Sequence, residues 1–197
     1  TKLRINIEID VGLHRGGIAQ AESLRKLLQT IKDDPEHLSF SGFMGYDPHV
    51  VKSGKLFIPI QKALSRVLTR YEQFIVFLKS EFPDMYTDQL TFNGAGSPTY
   101  THYETINLLN DISVGSALLK PANFDLDSLT NHQPAMFIAT PVLKKQAGIA
   151  IPFLEPLAPI MNKVKRSWGT TLFIYGGYWK AVPHSPQGLE TNSLYGR

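Results

Sequence analysis

Apolar and polar positions alternate from the start of the chain. Leu3, Ile5, Ile7, Ile9 and Val11 interleave with Arg4, Asn6, Glu8 and Asp10, a period of two that predicts a strand over 3–11. Gly12 ends the run, and His14-Arg15-Gly16-Gly17 makes a tight loop. The period then changes. Ile18, Ala21, Leu24, Leu28 and Ile31 share one face of a helix over 18–32, with Glu22, Arg25, Lys26 and Lys32 opposite. Leu38, Phe40, Gly42 and Met44 predict a second strand, closing in Gly45-Tyr46-Asp47-Pro48-His49. Ile60, Leu64, Val67, Leu68, Tyr71, Ile75 and Leu78 form the stripe of a long helix over 59–81, with Pro59 at its first turn and Pro83 past its end. A third strand is expected over 88–93, a short helix over 99–109 and a fourth strand over 111–119.

This β-α-β-α-β-α-β order implies parallel strands joined by right-handed crossovers. A complete (β/α)8 barrel takes about 250 residues, about thirty per unit, and residues 2–119 hold four units. The expected fold class is therefore α/β, with half of a parallel TIM-type barrel in residues 1–120. Beyond Pro121 the pattern loosens. Strands are expected over 135–143 and 172–178, with a helix between 152 and 168, so residues 121–197 read as part of a mainly β C-terminal domain. The alternative is a small open α/β sheet binding some other phosphorylated ligand.

Composition narrows the chemistry. With 43% apolar residues in 197, the chain can bury a core. A net charge of +3, with basic residues scattered among acids, makes no nucleic-acid footprint. The chain has no cysteine, which removes disulfides, thiolate metal sites and a cysteine nucleophile within it. No apolar run approaches the ~20 residues that span a bilayer. A cytoplasmic location is expected, with no membrane and no nucleic-acid partner. Starting mid-pattern at Thr1, the chain reads as an internal fragment.

The candidate chemistry lies in four loops that follow the strands. They carry His14-Arg15-Gly16-Gly17, Gly45-Tyr46-Asp47, Asn93-Gly94-Ala95-Gly96-Ser97 and Gly115-Ser116. In the last two, glycines let backbone N–H groups converge and serine adds a hydroxyl, which suits a phosphate. Neither loop is a Walker loop or a GxGxxG fingerprint. His49, His102 and His184 lack metal-ligand spacing.

Ile9-Asp-Val-Gly-Leu-His-Arg-Gly-Gly-Ile18 resembles the Val-Asp-x-Gly-x-x-Arg-x-Gly-Val stretch of the fold-type III pyridoxal-phosphate (PLP) enzymes, which are built on the alanine-racemase-type barrel. Tyr46-Asp47-Pro48-His49 is similar to the Tyr-Asp-Gly-His of the D-threonine aldolase and D-serine dehydratase branch, with Pro48 where glycine is usual. Asn93-Gly-Ala-Gly-Ser-Pro-Thr99 resembles that branch's phosphate loop, and Ile112-Ser-Val-Gly-Ser116 its Arg-Pro-Gly-Thr stretch. Gly177-Tyr-Trp-Lys-Ala181 is similar to a glycine-x-lysine-alanine segment of the second domain.

The resemblance implies PLP as cofactor and a lyase that cleaves or eliminates a Cα substituent of a D-amino acid. The alternatives on this barrel are an amino-acid racemase and a non-catalytic PLP carrier. Arg15 is expected near the cofactor's phenolic oxygen or the substrate carboxylate, and Tyr46 against the pyridine ring. Asn93, Gly94, Gly96, Ser97, Gly115 and Ser116 are expected to hold the phosphate. Ser113 stands where alanine racemases place the arginine that pairs with the pyridine nitrogen. The family's lysine, which binds the cofactor as an imine, lies on the first barrel strand, so no catalytic residue is assigned within this chain. Any divalent metal of the intact protein would take its ligands from elsewhere. A homodimer is expected when the protein is intact.

Overall fold

The alternating apolar run forms β1 (Leu3–Glu8), and β2 (Leu38–Met44), β3 (Thr91–Gly94) and β4 (Asp111–Ile112) join it in one sheet. The strand order is β1-β2-β3-β4 and every neighbouring pair is parallel, as the β-α alternation predicts. These positions come from a computed structural model that describes residues 1–149, 151, 153–164, 166–175 and 182–190. The described residues belong to two compact units, Thr1–Met136 and Phe137–Arg197.

Two helices connect the strands, α1 (Leu24–Asp33) and α2 (Ile60–Glu81). In a sequential parallel sheet, right-handed crossovers all fall on one face. That face carries the core. Ile7, Ile9, Val11, Phe43 and Phe92 meet Leu24, Leu28 and Ile31 of α1 and Val67, Phe74 and Leu78 of α2, all of them buried. Phe43 makes an edge contact with Phe74 and stacks with Phe92. The Tyr71 hydroxyl, 2.9 Å from the carbonyl oxygens of both Phe43 and Asn93, seats α2 against β2 and β3. Burial pushes that hydroxyl's pKa far up, so it stays a donor. The opposite face carries Arg4, Asn6 and Met44, which are exposed.

One expectation fails inside β2. Strict alternation puts Phe40, Gly42 and Met44 on a single face. In the structure Phe43 is 0% exposed and Met44 36% exposed. The cause is a bulge. Ile5 pairs with Phe40 but Asn6 pairs with Gly42, so Ser41 is an extra residue that reverses the alternation beyond it. Gly42 takes φ +133°, and a Cβ there would lie 1.8 Å from the Thr91 carbonyl oxygen. Glycine is needed both for the dihedral and for the approach of β3.

Other elements shift as well. Instead of a helix over 99–109 there is a 3-10 turn, Tyr100–Tyr103. Thr99, Thr101, Thr105 and Ile106 are β-branched and favour helix poorly. The fourth strand stops at Ile112, because Ser113 to Gly115 turn away into a second 3-10 segment, Ser116–Leu118. Residues 121–136 pack with the first unit, so the divide falls at 136/137. Leu129 is fully buried, Ser128 Oγ donates to the Pro98 carbonyl and Ala135 N–H to that of Leu119.

In the second unit β5 (Val142–Ala147) pairs antiparallel with β6 (Thr170–Ile174), and α3 (Ala158–Val164) lies between them in sequence. The expected strand over 135–143 begins only after Pro141, whose ring nitrogen has no hydrogen to give to a ladder. The resemblance over 177–181, including Lys180, lies outside the described residues. No helix among the described residues is long and apolar enough to cross a membrane.

Gly42→Ala should therefore be severe. With the Thr91 backbone against it and a positive φ, we expect a loss of at least about 3 kcal/mol, read as a lower urea midpoint. A loss under about 1 kcal/mol would show that β2 and β3 can separate at the bulge.

Candidate functional site

Each parallel strand delivers a loop to the carboxyl edge of the sheet, and contacts fasten each loop to its neighbour. The first loop is wound around Asp10, which is buried. Its Oδ1 accepts the N–H groups of Gly12 (2.9 Å) and His14 (3.0 Å), and its Oδ2 lies 2.7 Å from His14 Nδ1. Burial alone would raise the Asp10 pKa. The hydrogen bonds from the His14 and Gly12 amides and the His14 ring outweigh it and hold the carboxyl below its usual range. His14 sits at φ +57°, the left-handed region, and this winding presents Arg15 outward.

The Arg15 guanidinium lies 4.8 Å from the centre of the Tyr46 ring, so the first and second loops meet where expected. Arg15 makes no ion pair among the described residues. Tyr46 also packs against Gly96. A Cβ at Gly96 would sit 2.4 Å from the ring.

Asp47 joins the second loop to the third and is fully buried. Its Oδ1 accepts from Thr99 Oγ1 at 2.6 Å and its Oδ2 from the Tyr103 hydroxyl at 2.5 Å. Burial first, and then the Asp47 charge, push the Tyr103 pKa far up, which keeps that hydroxyl protonated and donating. Asp47 and Thr99 stand inside two of the motifs quoted above, but no role was expected for either, and Tyr103 did not stand out in the sequence.

Ser97 joins the third loop to the fourth. Its Oγ accepts the N–H groups of Gly115 and Ala117, both at 3.1 Å. Those two amides are thereby committed. The amides of Gly96, Ser97 and Ser116 have no partner among the described residues, and Ser116 is exposed. Ala95 between Gly94 and Gly96 adopts φ +62°, a winding that turns successive N–H groups the same way. The glycines are less open than the sequence suggests. A Cβ at Gly94 would strike Leu109 at 2.4 Å, whereas at Gly115 it would meet only Ser97 Oγ, at 3.9 Å. Asn93 is also engaged. Its amide donates to Asp111 Oδ2 (2.7 Å) and its oxygen accepts from Ser113 Oγ (3.0 Å), tying β3 to β4.

The structure thus assembles Arg15, Tyr46, Gly96 and Ser97 into one connected edge with Gly115 and Ser116 beside them, and turns the Asn93 side chain to strand pairing. Uncommitted amides, a hydroxyl and an unpaired guanidinium make an edge suited to an anion. No three His, Asp or Glu side chains among the described residues are placed to share a metal ion.

Comparison with solved structures finds this fold repeatedly. D-threonine aldolase from Filomicrobium marinum superposes with a TM-score of 0.59 at 18% identity, covering 75% of this chain and 38% of that one. Alanine racemase from Bacillus anthracis with bound L-Ala-P gives 0.57 at 15%, covering 78% and 38%. Histidine racemase from Leuconostoc mesenteroides subsp. sake gives 0.53 at 16%, covering 77% and 38%. The chain therefore spans about 38% of the length of each of these relatives. No curated protein sequence matches it. The family model for the N-terminal domain of alanine racemase matches residues 1–122, a stretch that takes in all four parallel strands, and the chain belongs to that family.

Proposed function

We propose that the protein is a PLP-dependent lyase acting on D-amino acids, of the D-threonine aldolase or D-serine dehydratase kind, and that this chain supplies one half of the cofactor site on a TIM-type barrel. The observation that carries the proposal is the pair of loops locked by Ser97, with three amides that have no partner among the described residues on the same edge as the Arg15–Tyr46 contact. A phosphate needs several donors with little bulk around them, and the open space at Gly115 provides it. The residues present fit PLP on that ground.

The amides of Gly96, Ser97 and Ser116, with the Ser116 hydroxyl, would hold the phosphate. Tyr46, braced between Gly96 and Arg15, would fix the edge of the ring. Arg15 would take a negative oxygen of the cofactor or the carboxylate of the substrate. Asp10 positions Arg15 by holding the turn before it. When bound, PLP supplies an electron sink for charge developing at the substrate Cα. Ser113, hydrogen-bonded to Asn93, is uncharged and leaves no fixed cation at the position the racemases fill with arginine. That argues against a racemase-like arrangement around the pyridine nitrogen. The second reading is an amino-acid racemase, supported by the family model and by the alanine and histidine racemases of like fold.

Two measurements on the full-length protein separate these readings and test the site. Incubation with D-threonine or D-serine should yield a carbonyl product, whereas inversion of alanine or histidine on a chiral column without one would establish the racemase. Ser97→Ala should loosen both loops and weaken PLP binding at least tenfold, about 1.4 kcal/mol. An unchanged PLP titration in that variant would remove these loops from the cofactor site.

Asp10 gives a pH test. Its pKa is depressed in the folded state, so its contribution is fully present above the unfolded value of 3.8 and is lost as pH falls through the lower folded value. Asp10→Asn should cost about 1–3 kcal/mol at neutral pH and flatten the loss of stability below about pH 4. Parallel acid-unfolding curves for the two proteins would show that Asp10 does not hold the turn as an anion.

A further inference from the structure

We propose a second anion site on the helix side of the sheet, a cavity that takes a small organic phosphate or carboxylate with an apolar body. The inference is independent of the PLP reading. The cavity, about 730 Å³, lies between the first loop, residues 49–58 and the first half of α2; Gly12 and His14 of that loop line it, but Arg15, Tyr46, Gly96, Ser97, Gly115 and Ser116 do not. Its volume is in the usual range for small-molecule sites.

Among the described residues three cations line it, Lys52, Arg66 and Arg70, and no carboxylate does. None of the three side chains makes a hydrogen bond or ion pair among the described residues. Arg66 and Arg70 stand one helical turn apart, where like charges repel. Gly12 lines the cavity beside His49 and Arg70. A Cβ there would lie 3.2 Å from His49 Nε2 and 3.7 Å from an Arg70 guanidinium nitrogen, so glycine leaves open the place where both tips converge. His49 Nδ1 is buried with no partner.

The neighbouring carboxylates cannot answer these charges. Asp10 is taken by His14 and Gly12, and Asp47 by Thr99 and Tyr103. His49 is held toward its neutral form chiefly by burial, against the pull of Asp47 and Asp10. A neutral imidazole and two guanidinium groups make a donor set for an oxyanion. Away from this point Val11, Leu56, Ile58 and Ala63 line the wall. An anion with an apolar body satisfies both ends, and a bare inorganic ion only one.

The test titrates the full chain with phenyl phosphate and with inorganic phosphate by calorimetry, following the His49 ring protons by NMR. We expect one saturable site, tighter for phenyl phosphate, with a shift of the His49 signals. Arg70→Gln should weaken binding at least tenfold. Arg66→Gln, an exposed change that leaves the core untouched, should weaken it in the same direction. Arg15→Gln and Ser97→Ala should leave it unchanged. The proposal is overturned if no saturable binding occurs. It is equally overturned if binding survives both α2 variants, or is lost in Arg15→Gln and Ser97→Ala instead, since the anion then occupies the other edge. Tighter binding of benzoate than of phenyl phosphate would assign the site to carboxylates and keep it.

Discussion

A carboxylate with no exposure to water must be paired, and Asp47 is such a carboxylate. Among the described residues it makes no ion pair. Its partners are two hydroxyls, Thr99 and Tyr103, both from the chain that follows β3. Removing either would leave a buried charge short of donors, which costs far more than one exposed hydrogen bond. The second and third loops are therefore closed on each other by necessity. The remaining fastenings extend that closure sideways: Arg15 over Tyr46 toward β1, and Ser97 onto Gly115 and Ala117 toward β4. The edge is a chain of pairwise contacts, and Asp47 is its most costly link to break.

This closure changes what the glycines mean. In a loop read from sequence, Gly94 and Gly96 look like places where a ligand approaches the backbone. In the fold, Leu109 and the Tyr46 ring approach them. The donors left for a ligand are amides whose neighbours have been packed away, and Gly115 alone of these three stands beside open space. A bulky residue at Gly96 would act by displacing Tyr46, and with it the support under Arg15, rather than by blocking an anion directly.

The order and direction of the strands were legible because they rest on periodicity: β1, α1, β2 and α2 carry clean patterns of two and 3.6. What was not legible is contact between distant residues. The bulge at Ser41 is invisible in an alternating run, yet it decides that Phe43 and not Met44 faces α2. The chain over 121–136 has no period, so it read as the start of the next domain. It belongs to the first unit because His132 meets the Tyr100 hydroxyl, the Lys120 ammonium donates to the His132 carbonyl, and Leu129 is buried. In the site, Arg15 and Tyr46 were legible as a pair on one edge. The engagement of the Asn93 side chain was not legible: its amide serves the pairing of β3 with β4.

Sequential strand order also constrains what the edge can hold. The free amides lie beyond β3 and β4, and Arg15 lies beyond β1 at the other side of the sheet. Neighbouring strands are about 4.8 Å apart, so a ligand engaging both ends reaches across two to three spacings, roughly 10–14 Å on a flat sheet and less on a curved one. Such a ligand is elongated, with a phosphate or similar anion at one end and a second negative oxygen at the other. The Tyr46 ring, beyond β2, stands between the two ends, where a planar body would lie. The amides bring no net charge and Arg15 brings one, so a phosphate held at this edge, as proposed, would depend on geometry more than on long-range attraction. Salt should therefore weaken it less than it weakens binding among the unpaired cations of the helix-side cavity.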